Sequence, residues 1–326
     1  MPARSPRVSV IIPHHQGKDL LSGCLRSLAA QSFPDFELLI VDNGSTDGSV
    51  EAARQEFPAV RIIRLPQNEG FAYAINLGVR ESMGEILAFL NNDAEVADGW
   101  IGNGIKALDE DPDVGILASR IMDFECREIV QNAGIRIRRS ARPAGRGRGQ
   151  KLDERWSTEE EVFGASGGAM MVRRLVWEKV GPFREDFVSY LEDVDWAFRA
   201  RLLGEKCLYV PDMVVYHREA STGDSQGKRG VKSPQRVRLI ARNKIWVLWL
   251  NTPWLLLLSH LPWILAGWLL SLAHHTFRSR QLGPFLAGTL EGKWGIFARW
   301  KERRNVQKGR RISVGELRKW YRHERQ

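Results

Sequence analysis

The N-terminal third of the chain alternates short apolar runs with helical patterns, and this alternation constrains the fold more than any other feature. Val8–Ile12 is β-branched and stops at Pro13. Leu20–Gln31 follows with apolar residues at helical spacing: Leu21, Cys24, Leu25 and Leu28. Phe36–Val41, Val60–Leu65 and Ile86–Leu90 are further apolar runs, separated by helical stretches over Ser49–Phe57 and Phe71–Ser82. Short runs without polar alternation are strands buried on both faces, as in a parallel sheet. Strand and helix in turn predict an α/β fold with crossover helices, whose ligands bind beyond the carboxyl ends of the strands. Two polar clusters fall at such ends, Asp42–Asp47 and Asn91–Asp93.

Further along, Arg136, Arg138, Arg139, Arg142, Arg146 and Arg148 are mixed with Gly and Pro, and 137–150 reads as a mobile basic loop. Phe163–Val172 is rich in small residues, which permit close backbone approach. Leu208–Val210 and Met213–His217 read as two short late strands. The three cysteines, Cys24, Cys126 and Cys207, are scattered without metal-like spacing, which argues for a reducing compartment and against a disulfide framework. The first residues lack the apolar region of a signal peptide.

The net charge of +9 is unevenly placed. Residues 236–326 hold 18 Lys/Arg against 4 Asp/Glu, which leaves the first 235 residues net acidic. Ile245–Phe277 contains no Lys, Arg, Asp or Glu, yet Pro253 and Pro262 interrupt it and basic residues flank both ends. Its length is enough to span a bilayer. Basic flanks on both sides and tryptophans at 246, 249, 254, 263, 268 and 294 fit interfacial helices or a re-entrant hairpin better. A buried helical subdomain or a homodimer contact is the other use for such a segment. The expected division is a catalytic domain over 1–235 and a helical, membrane-associating extension over 236–326. An anionic membrane surface is a better partner for this tail than nucleic acid.

Three clusters carry chemistry. Glu192, Asp193 and Asp195 sit among Phe187, Tyr190, Leu191, Val194, Trp196 and Phe198, which want burial. A carboxylate at the edge of a core can have a raised pKa and accept a substrate proton. The competing reading is a helix start whose acids face the dipole and pair with Arg199 and Arg201. Asn91-Asn92-Asp93 ends a buried strand with one carboxylate, which suits Mg²⁺ or Mn²⁺ held jointly with substrate phosphates. His217 is a second candidate ligand. Asp42 and Asn43 can bond a base or ribose, or merely form a turn, and Gly70 ahead of a helix can admit a phosphate or ribose, or merely cap it.

Seven segments in this order resemble the family 2 glycosyltransferases of GT-A fold, most closely a rhamnosyltransferase-like branch. They are Val8–Pro13, Val41–Asp47, Asn68–Gly78, Leu90–Asp93, Gly164–Met171, Tyr190–Trp196 and Val215–His217. The resemblance covers about residues 7–245. It implies a Rossmann-like mixed sheet and a nucleotide-diphospho-sugar donor bound by Pro13, Asp42, Asn43, Asn68, Gly70, Asn76 and Asn92. Asp93 matches the last acid of the family's metal-binding triplet, with Asn91 where the first acid would be. Asp193 matches the general base of the Glu-Asp pair. Glu192, Asp195 and Trp196 are then expected to orient that helix or contact the acceptor. The implied activity is inverting transfer of a sugar, first dTDP-rhamnose, to a glycan or lipid-linked glycan at the cytoplasmic face of the membrane, for cell-surface polysaccharide. An inactive donor-binding scaffold is the alternative that the imperfect triplet suggests. Glycoside hydrolysis is disfavoured, because adjacent carboxylates do not set the separation it needs.

Overall fold

The computed structural model describes residues 5–218 and 233–322. Its first half follows the apolar runs: β1 (Val8–His14), α1 (Lys18–Ala29), β2 (Phe36–Asp42), α2 (Ser49–Glu56), β3 (Arg61–Arg64), α3 (Phe71–Glu81) and β4 (Ile86–Leu90). These four strands are parallel, in the order β4-β1-β2-β3, and every residue of β1 and β4 is buried. Pro13 lies inside β1 rather than ending it. Pairing with β4 stops at Ile11–Phe89, so the missing N–H at Pro13 interrupts no ladder on that side.

The second half completes a mixed sheet. It contains β5 (Ala94–Val96), α4 (Trp100–Glu110), β6 (Val114–Asp123), β7 (Ile129–Asn132), β8 (Ile135–Arg138), β9 (Pro143–Gly145), β10 (Gln150–Lys151), β11 (Glu160–Val162) and β12 (Ala169–Arg173). Then come α5 (Arg174–Val180), α6 (Glu192–Leu202) and β13 (Lys206–His217). β12 lies antiparallel between β4 and β6, and β13 runs parallel to β6 and antiparallel to β5. Two apolar clusters cover the two sheet faces, one against α1 and α4, the other against α3, α5 and α6.

Two expectations need correction. The late strands 208–210 and 213–217 are one strand, β13, whose register shifts between Val210 and Val214. A bulge at Pro211 lets a single strand turn without breaking. The basic segment 137–150 is not one continuous loop: β8 and β9 form a hairpin there, joined in parallel by β14 (Tyr321–Arg322), with turns between and after the two strands. Ile135 and Ile137 are buried, so a period of two places the arginines on the other face.

The tail comprises α7 (Pro234–Asn251), α8 (Trp254–Ala273), α9 (Leu282–Ala298), α10 (Trp300–Lys308) and α11 (Val314–Arg318). Pro253 separates α7 from α8, where its ring suits a first-turn position, but Pro262 is absorbed within α8. Trp246, Val247 and Leu250 of α7 share a core with Phe187, Val194 and Phe198, so α7 is packed into the body of the molecule. Among the described residues one helix, Trp254–Arg278, is long and apolar enough to cross a membrane. It is mostly uncovered, with Leu255, Leu258, Trp263, Leu269 and Phe277 exposed.

His14, at the end of β1, is almost fully buried and its pKa is pulled down to about 4 by burial, against the opposing pull of Asp42 and Asp47. An unfolded histidine titrates near 6.5, so below that pH the unfolded chain binds a proton that the native chain refuses. Stability should therefore rise with pH between about 4 and 6.5 and be flat above, with His14 contributing ~3 kcal/mol to the difference. Denaturant titrations of wild type and His14→Gln at several pH values should show a shallower dependence in the variant. Parallel curves would contradict the assignment.

Candidate active site

The two polar turns predicted at strand ends are tied together by buried side chains. The amide of Asn92 donates to His14 Nδ1 at 2.8 Å and to the Gln16 carbonyl at 3.3 Å. With Nδ1 accepting, neutral His14 carries its proton on Nε2, which meets Ser49 Oγ at 2.8 Å. Ser49 in turn donates to Asp47, whose other oxygen accepts from the Gly17 N–H at 2.6 Å. Asp42 caps its own turn by accepting from the Ser45 N–H at 2.9 Å.

Asp93 and His217 meet at the ends of adjacent strands, since His217 pairs with Ala94 across β13 and β5. The Asp93 Oδ1 to His217 Nε2 distance is 3.2 Å. The amide of Gln131 donates to Asp123 and to the His217 carbonyl, so its Oε1 points at His217 Nδ1 2.9 Å away and holds the proton there. His217 Nε2 is thereby directed at the Asp93 carboxylate, an arrangement that suits a shared cation. Among the described residues no group of three or more His, Cys, Asp and Glu converges. One carboxylate and one imidazole match Mg²⁺ or Mn²⁺ that completes its shell with phosphates and water.

A cavity of about 100 Å³ opens beside this pair, lined among others by Asn91, Gln131, Arg148, Ser166, Gly168 and His217. Asp193 is tied to its wall through the backbone: the Gly167 N–H donates to Asp193 Oδ2 at 3.0 Å, while the neighbouring Gly168, which lines the cavity, accepts from the Asn91 N–H at 2.9 Å. A side chain on Gly167 would meet Asp193 Cβ at 3.2 Å, so glycine lets this turn pass close against Asp193. Asp193 is half-buried. Burial raises its pKa, opposed by the N–H groups of Gly167 and Val194. Glu192 is buried more deeply, and burial first, then the Asp193 charge, raises its pKa well above the usual range. Of the two, Glu192 is the one that its surroundings push further toward the protonated form.

The model of glycosyl transferase family 2 matches residues 9–181. The chain belongs to glycosyl transferase family 2. Among curated relatives, glycosyltransferase AglE of Haloferax volcanii is 29% identical over 67% of this chain and 68% of its own length. The N-acetylglucosaminyl-diphospho-decaprenol L-rhamnosyltransferase of Mycobacterium tuberculosis is 28% identical over 61% of this chain and 72% of its own. The O-antigen biosynthesis protein RfbC of Myxococcus xanthus is 28% identical over 67% of this chain, but the match spans only 18% of that protein. Two solved structures share the fold. GalNAc-T7 with UDP, GalNAc and Mn²⁺ has TM-score 0.62 at 18% identity, covering 90% of this chain and 57% of that one. The Pyrobaculum calidifontis mannosyltransferase with GDP-Man and Mn²⁺ has TM-score 0.52 at 19% identity, covering 90% and 89%. The GT-A architecture expected from the motifs is therefore the fold of this transferase.

Several residues expected to touch donor or acceptor serve the framework instead. Both ends of the Asn43 amide are committed, to the Gly70 carbonyl at 3.1 Å and the Glu69 N–H at 2.8 Å. Asn76 bonds the Phe183 backbone twice, at 2.8 and 3.0 Å. Asn92 is the strut described above, and Asn68 closes a local turn onto the Gly70 N–H. A side chain at Gly70 would meet the Val188 carbonyl at 2.5 Å, so this glycine makes room for the loop before α6. Pro13 is buried within β1. Trp196 stacks on Trp177 at 5.4 Å and donates to the Gly181 carbonyl, so its ring cannot reach an acceptor. Asp195 is fully buried between Arg184 (3.1 Å) and Arg199 (2.9 Å) and accepts from Asn251 at 2.8 Å. It orients α6 and meets no acceptor.

Two features escaped sequence reasoning. Gln131 and Arg148 lie in segments of no recognised motif. Asn243, on α7, is fully buried and its single amide nitrogen faces the carbonyls of Phe187 (3.1 Å), Ser189 (3.1 Å) and Tyr190 (2.8 Å). That loop contains three non-glycine residues at positive φ, Val188, Tyr190 and Leu191, and leads directly into Glu192 and Asp193. Asn243→Asp replaces the donors with acceptors facing three carbonyls. Transfer should fall in kcat about a hundredfold as the Asp193 position relaxes, with donor Kd unchanged. Steady-state kinetics with calorimetric donor titration checks the split; a loss confined to thermal stability would reduce Asn243 to a structural part.

Proposed function

We propose that this transferase is an inverting, metal-assisted enzyme that moves a sugar from a nucleotide diphosphate to a lipid-linked glycan in cell-surface polysaccharide synthesis. The observation that carries the reading is the Gly167–Gly168 turn, which is hydrogen-bonded to Asp193 through the Gly167 N–H and to Asn91 through the Gly168 carbonyl. The proposed base is thus tied through this turn to the wall of the cavity that Asn91, Gly168 and His217 line. Asp93 and His217 would hold the metal, with Gln131 keeping the imidazole in the required tautomer. The metal, when bound, neutralises charge developing on the leaving diphosphate. Arg148 adds a fixed positive charge to the same cavity.

Asp193 takes the proton of the acceptor hydroxyl as its oxygen attacks the anomeric carbon from the face opposite the diphosphate. Its raised pKa makes it a better proton acceptor than an exposed aspartate. Burial pushes Glu192 beside it further toward the protonated form, which favours a single charge on the pair. The rhamnosyltransferase relative supports a deoxyhexose donor, with dTDP-rhamnose first, and an isoprenoid-linked acceptor. The exposed apolar faces of α8 and α9 and the basic tail support a seat on the cytoplasmic membrane surface.

Asp193→Asn should lower kcat about a hundredfold to ten-thousandfold and leave donor binding intact, whereas Glu192→Gln should retain most activity. Because Asp193 must be ionised, activity should fall with decreasing pH at a higher pH than an ordinary aspartate would allow. Equal losses in both variants would refute the division of roles, and absence of turnover with any nucleotide sugar would favour a donor-binding scaffold. Calorimetry should also show that Asp93→Ala and His217→Ala abolish the Mn²⁺-dependent part of donor affinity. Persistence of that part would remove both residues from the metal site.

A further inference from the structure

A second and larger cavity, about 320 Å³, lies away from the residues discussed above, between the β8–β9 hairpin and helices α7, α8 and α9. Its floor is apolar, formed by Val237, Ala241 and Phe285, which pack as a small core of their own. Its walls carry Arg142 from the hairpin, Lys244 from α7, and His274 and His275 from the end of α8. Among the described residues, none that lines it is acidic. The histidines belong to a π-helical turn over His274–Arg278. Such turns are uncommon and recur at functional sites. His275 is held in place by stacking on Phe285 at 4.8 Å and by Ser279 Oγ at 2.9 Å.

The frame of the cavity is built by close backbone approach. A side chain at Gly288 of α9 would collide with the Arg238 carbonyl of α7, and one at Gly267 of α8 would meet Ser140 Cβ at 3.1 Å and Arg142 Cδ at 3.4 Å. The second contact brings Arg142 to the wall. Leu270 lines the cavity and is also exposed, beside exposed Leu269, Phe277 and Leu286. The mouth therefore opens onto the apolar face of α8 and α9. A basic chamber with an apolar floor and an apolar threshold is complementary to an anionic head on a hydrocarbon tail.

We propose that this cavity binds the phosphate or diphosphate group of a lipid whose chain lies along α8 and α9. Arg142 and Lys244 contact the phosphate oxygens, and Leu269, Leu270 and Phe277 contact the chain. The site is separate from the donor cavity, and it deepens the lipid-linked acceptor reading by naming where the head of such a lipid would sit.

The test uses the full chain with its donor site blocked by saturating nucleoside diphosphate and Mn²⁺. Calorimetric titration compares farnesyl diphosphate (head and tail), inorganic pyrophosphate (head alone) and farnesol (tail alone). Farnesyl diphosphate should bind at least about tenfold tighter than either fragment, and Arg142→Gln or Lys244→Gln should each weaken it about tenfold or more. Arg142→Lys should retain most of the affinity. Nucleoside diphosphate binding by the same variants shows that they are folded and that the donor site is unaffected. Equal affinity for pyrophosphate and farnesyl diphosphate, undiminished binding by both Gln variants, or no binding at all would overturn the proposal. Any of these results, with sugar transfer to a soluble acceptor intact, would leave the assigned base and metal residues standing.

Discussion

The carboxamide of Asn243 holds the position on which the rest of the site depends. Its amide group faces three carbonyls in the loop before α6, where Val188 sits in a γ-turn with φ 64° and ψ −69°. Tyr190 and Leu191 are left-handed, and Leu191 is the residue from which α6 starts. Backbone of this kind costs on the order of 1–3 kcal/mol per residue and persists only where surroundings over-determine it. Here they do so from two sides. The Val188 carbonyl accepts from the Ala72 N–H against Gly70, and Asn243 closes the opposite side. The catalytic domain and the tail are therefore joined at the very loop that aims Asp193.

The three acids of α6 show how burial sorts identical chemistry into different tasks. Asp195 is enclosed by two guanidinium groups and an amide, so its charge is fully compensated and its task is rigidity. Glu192 has no such partner for Oε2 among the described residues, and desolvation raises its pKa well above the usual range. Asp193 lies between these extremes, partly open and bonded by the backbone N–H groups of Gly167 and Val194. A carboxylate that is neither fully paired nor fully solvated is the one suited to receive a proton. Loss of one partner of Asp195 would leave a buried charge uncompensated, which is far costlier than an exposed pair.

Much of the fold was legible in the chain because period and length of apolar runs report burial directly. The parallel strands, the late His217, the Glu-Asp pair and the tail's separate composition all followed from local pattern. The amide struts were not legible. Asn43, Asn76 and Asn92 fall in segments matched by the family pattern, yet their hydrogen bonds go to backbone or side chains as far as 109 residues away. An asparagine presents the same donors and acceptor to a ligand and to a distant carbonyl. Likewise the arginines of 136–148 read as a mobile charged loop, because their density masked the buried alternation of Ile135 and Ile137.

The sequence by itself determined the layered α/β core, the family and the residues able to carry proton and metal chemistry, since these rest on hydrophobic period and on side-chain type. Only the tertiary structure decided which of those residues face the cavity. That choice depends on contacts between segments far apart in the chain: Gln131 on His217, Gly167 against Asp193, and Asn243 on the loop before α6. Each places a directional hydrogen bond whose energy depends on distance and angle, and no local pattern records either.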